Sequence, residues 1–134
     1  MLRRWRLDPD WLAGGQAAAD DPELPVAPRL RRYRQLEALR IQWQEILDRQ
    51  DVEETGLRLS SLAGQCLEQA LAQAEASVAE RHGRIQTSEG APARLAVLAL
   101  GKLGGNELNF NSDLDLVFCH RAAGQSDGRR PLEP

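Results

Sequence analysis

The stretch that decides the fold is LAVLALGKLGGNELNFNSDLDLVF, residues 95–118. It opens with an unbroken apolar run over residues 95–100, and such a run favours a strand that is buried on both faces. A polar, glycine-containing segment follows. Residues 113–118 then alternate and end apolar, which predicts a second strand. The stretch therefore predicts two strands joined by a segment rich in glycine and polar residues.

That polar segment contains a pair of glycines and a pair of carboxylates. Gly104 and Gly105 have no Cβ, so their backbone N–H groups can turn towards a phosphate. Asp113 and Asp115 are two positions apart, a spacing that points both side chains to the same face of a strand. Mg²⁺ is commonly held by one or two carboxylates together with substrate phosphates. The spacing predicts a phosphate and metal site of the kind that phosphoryl or nucleotidyl transfer requires.

Two amphipathic helices are predicted upstream of the strands. Apolar residues recur at steps of three and four from Arg29, and the pattern lapses at residues 49–51. A second, alanine-rich helix is predicted over residues 52–81, with Asp51 as its cap and Glu54 as the partner in a capping box. The two apolar stripes comprise Leu30, Tyr33, Leu36, Leu39, Trp43, Ile46 and Leu47, and then Leu59, Leu62, Ala63, Cys66, Leu67, Ala70, Leu71, Ala74 and Val78.

These patterns predict an α+β fold in four parts. Residues 1–28 contain so many glycines and prolines that we expect an irregular arm. Residues 29–83 are expected to form a helical hairpin, because the connection between the two helices is short. Residues 84–94 are interpreted as a loop. Residues 95–134 are interpreted as the start of an incomplete sheet domain, whose last part, residues 121–134, begins another loop.

Composition and charge exclude several classes of function. A length of 134 residues fits one domain, and a net charge of -3 argues against binding nucleic acid mainly through phosphate contacts. No apolar run approaches the roughly 18 residues that span a bilayer. The basic N-terminus is not followed by the apolar region of a secretory signal. We therefore expect a cytoplasmic protein that binds neither membrane nor nucleic acid.

The cysteines, the histidines and one basic run have structural explanations. Cys66 lies on the apolar stripe of the second helix, and His82 ends that helix, where a positive charge complements the helix dipole. Cys119 and His120 have no second pair to complete a zinc site, and two cysteines make no disulfide framework. The basic residues 29–34 fit either a docking surface for an acidic partner or a solvated helix face.

Residues 100–118 resemble a known enzyme superfamily. Gly-Gly followed by Asp-x-Asp is similar to the nucleotidyltransferases that include DNA polymerase beta. The complete string resembles the glutamine synthetase adenylyltransferase family, whose bifunctional members attach AMP to a tyrosine of glutamine synthetase and remove it. Glu-Leu-Asn-Phe at residues 107–110 resembles the N-terminal, adenylyl-removing half. Three upstream segments, at residues 30–34, 39–41 and 51–55, are similar to the same half.

The resemblance implies a polymerase-beta-like sheet, truncated in this chain, and a role for each matching residue. It assigns Mg²⁺ to Asp113 and Asp115 as catalytic and metal-binding residues. The residues that it assigns to the nucleotide, ATP or ADP, are Gly104, Gly105, Ser112 and Lys102. The implied reaction is Mg²⁺-dependent phosphorolysis of adenylyl-tyrosine on glutamine synthetase, giving ADP, with the PII signal protein as a further partner. In such folds a third carboxylate comes from a later strand, so we expect this fragment alone to be inactive.

Three alternatives stay open at this point. The chain is a catalytically incomplete fragment that acts as a nucleotide- or protein-binding module, or it is the AMP-attaching half of the same family. A different nucleotidyltransferase, such as an antibiotic-modifying or toxin–antitoxin enzyme, would explain the glycines and carboxylates but not residues 107–110. A Walker A loop does not fit, because Lys102 is followed by Leu103 where that loop requires Ser or Thr.

Overall fold

The computed structural model describes residues 21, 23–48, 50–87, 89–120 and 124–128, and it shows an α+β chain. Two long helices precede two separate pairs of antiparallel strands. In chain order the elements are α1 (Val26–Asp48), α2 (Val52–His82), β1 (Ile85–Thr87), β2 (Leu95–Ala99), α3 (Gly101–Gly104), β3 (Leu116–His120) and β4 (Gly124–Ser126).

The two predicted helices are present and pack against each other. α1 begins at Val26, inside the segment that the sequence predicted to be irregular, and most of that predicted arm lies outside the described residues. Pro28 is compatible with this start because proline is tolerated in the first turn of a helix. α2 ends at His82, and the residue that caps it, Gly83, has a φ of 80°, a left-handed value that favours glycine and stops a helix. Among the described residues, no helix is both long and apolar enough to cross a bilayer.

Asp51 caps α2 as predicted, but the capping box is not formed in the predicted way. The Asp51 carboxylate accepts a hydrogen bond from the N–H of Glu53 at 3.4 Å, and its carbonyl accepts from the N–H of Thr55 at 3.0 Å. A capping box would use the N–H of Glu54 instead. Glu53 and Glu54 still favour the first turn, because their charges complement the positive end of the helix dipole.

The buried core lies where the start of α2 meets α1 and the segment that follows β2. Its members are Ile41, Leu59, Leu62, Leu103 and Leu108. Half-buried residues packed against it include Tyr33, Ala38, Ala63, Cys66, Leu67, Phe110 and Leu116. The predicted stripes are buried only near this junction, since Ile46 and Val78 are exposed. The buried residue of α1 is Ile41, which the predicted stripe did not include.

The two predicted strands are present as β2 and β3, and they pair antiparallel, with Leu95 opposite His120 and Ala99 opposite Leu116. β3 starts later than predicted, so Asp113 and Asp115 precede the strand rather than lie in it. The carbonyl of Asp115 nevertheless accepts a hydrogen bond from the N–H of Leu100, just before the strand begins.

The prediction that β2 is buried on both faces is wrong for the described residues. Leu98 is 52% exposed, and across the ladder Phe118 is 61% exposed. The described part of this sheet has only two strands, and neither long helix packs extensively on it. An apolar run shows that a strand is suited to burial, but the elements that would cover it decide whether it is buried.

Two short strands, β1 and β4, pair where the sequence predicted only loops, within residues 84–94 and 121–134. The Asp127 carboxylate joins them, because it accepts hydrogen bonds from the N–H of Arg84 at 2.7 Å and from Nε2 of Gln86 at 3.0 Å. Strands of three residues are too short to show a hydrophobic period, so the sequence pattern could not reveal them.

Candidate nucleotide and metal site

The β2–β3 pair brings two motifs to the same end of the sheet. One is the glycine turn, residues 101–105, and the other is the pair of carboxylates of Asp113 and Asp115. The N–H of Leu100 donates to the carbonyl of Asp115 at 2.9 Å, and this bond continues the ladder beyond Ala99 and Leu116. Because the strands are antiparallel, the chain leaving β2 and the chain entering β3 lie side by side. The two motifs that the sequence singled out are therefore adjacent in space.

Asp115 lies directly against the backbone of Gly101, the first residue of α3. A Cβ on Gly101 would be only 2.6 Å from Oδ2 of Asp115, and Gly101 has a φ of 54°. The left-handed backbone favours glycine at position 101, whereas the Asp115 carboxylate, at the end of an exposed side chain, could swing away from a Cβ. The turn that leaves β2 therefore places Gly101 and the Asp115 carboxylate side by side.

Gly104 and Gly105 present an exposed backbone surface without side chains. Their N–H groups donate to the carbonyls of Leu100 and Gly101, each at 3.0 Å, and so they close the single turn of α3. In the structure these two N–H groups are therefore bonded within α3, whereas the sequence predicted that they turn towards a phosphate. Close packing requires the missing side chain at Gly104, because a Cβ there would be 2.6 Å from the carbonyl oxygen of Ala99.

Asp113 follows a tightly hydrogen-bonded turn over residues 109–112. Oδ1 of Asn109 accepts from the N–H of Asn111 at 3.1 Å and from Oγ of Ser112 at 2.9 Å. Oγ of Ser112 in turn accepts from the N–H of Asn109 at 3.0 Å. The Ser112 hydroxyl is therefore used inside the turn that leads to Asp113. Sequence analysis missed Asn109, although an Asn at the start of a polar turn is a recognisable signal.

The two aspartates provide a donor set that suits Mg²⁺. Asp113 and Asp115 are both exposed and are separated only by Leu114. Carboxylate oxygens are the hard ligands that Mg²⁺ prefers, and this ion usually keeps open positions for water and substrate phosphates. No group of three or more His, Cys, Asp or Glu within the described ranges is arranged to hold a metal. The two carboxylates are ligands of the type that would suit a Mg²⁺ ion shared with a phosphate.

Charges of both signs flank the glycine turn. Lys102 is exposed, and its carbonyl accepts a hydrogen bond from the N–H of Glu107 at 2.9 Å. Oε1 of Glu107 lies over Gly105, where it would be 2.9 Å from a Cβ. The negative charge of the Glu107 carboxylate would repel a phosphate bound at this turn unless a cation neutralised it.

Comparison with known proteins identifies the family. Residues 9–134 match the family model described as glutamate-ammonia ligase adenylyltransferase (GlnE). The chain belongs to this family. Among curated relatives, the chain is 45% identical over 127 residues to a protein of Xanthomonas campestris pv. campestris strain B100 named bifunctional glutamine synthetase adenylyltransferase/adenylyl-removing enzyme. Relatives with the same name are 44% identical in Thioalkalivibrio sulfidiphilus and 39% identical in Chromobacterium violaceum.

These alignments cover most of this chain but a small part of each relative. They include 87% of the chain for the Xanthomonas and Chromobacterium proteins and 88% for the Thioalkalivibrio protein. The chain spans only 12–14% of the length of these GlnE relatives. Family membership is therefore established, whereas the activities in the relatives' names belong to much longer proteins.

Proposed function

We propose that this chain forms part of the adenylyl-removing half of a bifunctional glutamine synthetase adenylyltransferase/adenylyl-removing enzyme. The names of the GlnE relatives support the enzyme class. The Glu-Leu-Asn-Phe string at residues 107–110, which resembles the adenylyl-removing half, supports the choice of half. Glutamine synthetase is the proposed substrate, and the PII signal protein is the proposed regulatory partner.

One structural observation carries the proposal. The hydrogen bond from Leu100 to Asp115 holds a bare glycine turn beside a pair of exposed carboxylates. Nucleotidyl transfer requires a surface that phosphate can approach and carboxylates that can hold a metal ion next to it. Both features are present at one end of the β2–β3 pair, and we assign the reaction to this end.

The proposed reaction is phosphorolysis of the adenylyl–tyrosine bond. An oxygen of inorganic phosphate attacks the adenylyl phosphorus, the bond from phosphorus to the tyrosine oxygen breaks, and the products are ADP and a tyrosine hydroxyl that has regained its proton. Gly104 and Gly105 let a phosphate approach the backbone, while Lys102 balances the charge of the phosphate and Glu107. Asp113 and Asp115 would hold Mg²⁺, which when bound supplies neutralisation of phosphate charge.

Ser112 has a positioning role in this scheme. Its hydroxyl is committed to Asn109, and the resulting turn fixes the backbone from which Asp113 projects. We therefore propose that Ser112 supports the nucleotide and metal site through the backbone of the turn.

The direct test uses the protein expressed from the complete gene that carries this sequence. Adenylyl removal is measured as ADP formed from adenylylated glutamine synthetase and phosphate, and adenylyl attachment is measured as pyrophosphate formed from ATP and unmodified glutamine synthetase. We expect Asp113→Asn with Asp115→Asn to lower adenylyl removal by about 10³-fold or more, because both metal ligands are lost. Adenylyl attachment should be unchanged, because these ligands act only in the removal reaction. Glu68→Gln, an exposed charge change on α2, is the matched control and should leave both activities unchanged.

The two activities separate the proposal from its alternatives. Loss of attachment with removal intact would assign this chain to the AMP-attaching half. Unchanged rates of both reactions would favour a binding module without a catalytic role. Only a selective loss of adenylyl removal agrees with the proposed function.

A further inference from the structure

The start of α2 forms a platform beneath the segment that follows the glycine turn. Gly56 is buried, and a Cβ on it would lie 3.2 Å from Cα of Glu107 and 3.5 Å from the carbonyl oxygen of Asn106. The loop backbone therefore lies directly on the helix backbone at this point. A Cβ at position 56 would require the loop or the helix to shift by a few tenths of an ångström, because the nearest atom it meets belongs to the main chain.

One turn further along α2, a buried hydrogen bond fixes the same segment. Oγ of Ser60 accepts from the N–H of Leu108 at 3.3 Å, and Ser60 is only 3% exposed. The Leu108 side chain is buried beside Leu59 and Leu103 in the core. A buried N–H needs an acceptor, so this bond determines where Leu108 can lie.

The fixed segment, residues 106–108, connects the two parts of the proposed site. On one side the N–H of Glu107 is bonded to the carbonyl of Lys102, next to the glycine turn. On the other side the chain enters the hydrogen-bonded turn over residues 109–112, which leads to Asp113. A shift of residues 106–108 would therefore move both the surface of Gly104 and Gly105, which a phosphate would approach, and the carboxylates of Asp113 and Asp115.

We propose that Gly56 and Ser60 are positioning residues of the nucleotide and metal site, which they hold by fixing residues 106–108 on α2. This role rests on the proposed function, because it is defined by the site that the loop supports. Neither residue contacts the proposed ligands. Glycine is otherwise disfavoured inside a helix, and the close approach of the loop gives Gly56 a physical reason.

A second glycine and a second serine in α2 provide matched controls. Gly64 has nothing within 4 Å of a Cβ position, so Gly64→Ala adds a methyl group to open space. Ser61 is exposed, and its hydroxyl accepts only a long bond from Nε2 of Gln65 at 3.4 Å. Each control makes the same chemical change in the same helix without touching the loop.

The test measures the affinity of this chain for Mg²⁺·ADP by isothermal titration calorimetry, at a temperature at which circular dichroism shows every variant to be folded. A Cβ at 3.2 Å requires its neighbours to give by a few tenths of an ångström, and small misplacements weaken binding contacts. We therefore expect Kd to rise about tenfold for Gly56→Ala and about threefold for Ser60→Ala. Gly64→Ala and Ser61→Ala should stay within about twofold of the wild type, as changes far from the loop usually do. A residue that only stabilises the fold would lower the melting temperature and leave Kd unchanged.

Amide resonances give a second readout that needs no ligand. In Ser60→Ala the Leu108 N–H loses its acceptor, and we expect its hydrogen exchange to be faster while exchange in the C-terminal half of α2 is unchanged. In Gly56→Ala the amide shifts of Gly104, Gly105 and Asp115 should change, which they should not in Gly64→Ala.

The outcomes separate this inference from the proposed function. If the wild type binds Mg²⁺·ADP and the two variants bind equally well, the positioning role is overturned while the function stands. If the wild type does not bind, the proposed function fails in this chain, and the amide readout decides the positioning role alone. Unchanged amide shifts in Gly56→Ala together with unchanged Leu108 exchange in Ser60→Ala would overturn it.

Discussion

The junction between α2 and the loop after β2 differs sharply from the β2–β3 sheet beside it. At the junction, Leu59, Leu103 and Leu108 are each less than 10% exposed. In the sheet, Leu98 and Phe118 are more than half exposed, although the two strands form a complete ladder of main-chain hydrogen bonds. One region is held by side-chain packing and the other mainly by backbone pairing.

The difference between the two regions indicates which part of the molecule holds the proposed site in position. A two-stranded ribbon by itself is only marginally stable in water. The glycine turn and the carboxylates lie at the end of such a ribbon, so their positions depend on the packed junction next to them. We expect substitutions in the junction to affect stability more than similar substitutions in the sheet.

The largest effect is expected from truncating a junction leucine. Leu59→Ala removes buried methyl groups and leaves a cavity, so the free energy of unfolding should fall by about 2–4 kcal/mol. Leu98→Ala makes the same change at an exposed position in β2 and should cost less than about 1 kcal/mol. Urea denaturation followed by circular dichroism measures both. Equal losses, or a larger loss for Leu98→Ala, would contradict the comparison.

The next effect concerns the glycine turn. Gly104→Ala would bring a Cβ within 2.6 Å of the Ala99 carbonyl oxygen, which is main chain and cannot simply swing away. We expect a loss of about 1–3 kcal/mol, similar to other sites of forced backbone strain. Gly64→Ala should instead raise stability by up to about 1 kcal/mol, because alanine is the better helix former. Thermal denaturation of the two variants should therefore give shifts of opposite sign, and a stabilising Gly104→Ala would show that the turn is not tightly packed.

Two buried hydroxyl groups in α2 provide a contrast of similar size that is more specific to one hydrogen bond. Ser60 is bonded to Leu108, whereas Oγ1 of Thr55 is buried without a hydrogen-bond partner among the described residues. Ser60→Ala should cost about 1–3 kcal/mol because it leaves a buried N–H unsatisfied. Thr55→Val keeps the volume and removes only the unpaired hydroxyl, so it should be neutral or slightly stabilising. A substantial loss in Thr55→Val would indicate that this hydroxyl has a bonding role.

The smallest expected effect is a change in the free energy of unfolding with pH, caused by Cys66, which packs against the core at the junction. Burial raises the pKa of the Cys66 thiol above its usual value, with Arg34 opposing the shift. A raised pKa in the folded state means that the thiol stabilises the fold below its ordinary pKa, and that this contribution is lost as the pH rises through and above that value. The free energy of unfolding should therefore decrease from pH 8 to pH 10. The decrease should be shallower in Cys66→Ala, and an equal slope in both proteins would contradict this.

Tyr33 also lowers the free energy of unfolding as the pH rises into the alkaline range. Burial, followed by Glu37 and Cys66, raises the pKa of its phenol, while Arg40 opposes the shift. Its hydroxyl also donates to Oε1 of Gln65 at 2.8 Å, a bond that favours the neutral form. Tyr33→Phe is therefore the control that separates the tyrosine part of the alkaline loss from the thiol part.

The parts of the fold that follow a local rule could be predicted from the sequence. Both long helices follow from apolar residues at helical spacing, and the cap at Asp51 follows from its side chain. The strand pair around residues 95–120 follows from an apolar run and an alternating run separated by glycines. Each of these features depends on residues close together in the chain.

The other features depend on contacts between distant residues or on very short segments. Ser60 and Leu108 are 48 positions apart, and no local pattern shows that they are bonded. The exposure of Leu98 depends on what covers the sheet rather than on the strand itself. For the candidate site, the adjacency of the glycines and carboxylates was predictable from their spacing. The sequence could not predict that the Gly104 N–H is bonded within α3, nor that Asn109 and Ser112 bond each other in the turn before Asp113.

Binding of ADP to this chain, measured by calorimetry with and without Mg²⁺, tests the proposed nucleotide and metal site. We predict binding that requires Mg²⁺, that is abolished in Asp113→Asn with Asp115→Asn, and that is retained in Glu68→Gln. Binding that is independent of Mg²⁺, or that persists unchanged when both aspartates are replaced, would contradict the assignment of the nucleotide and metal site to this end of the sheet.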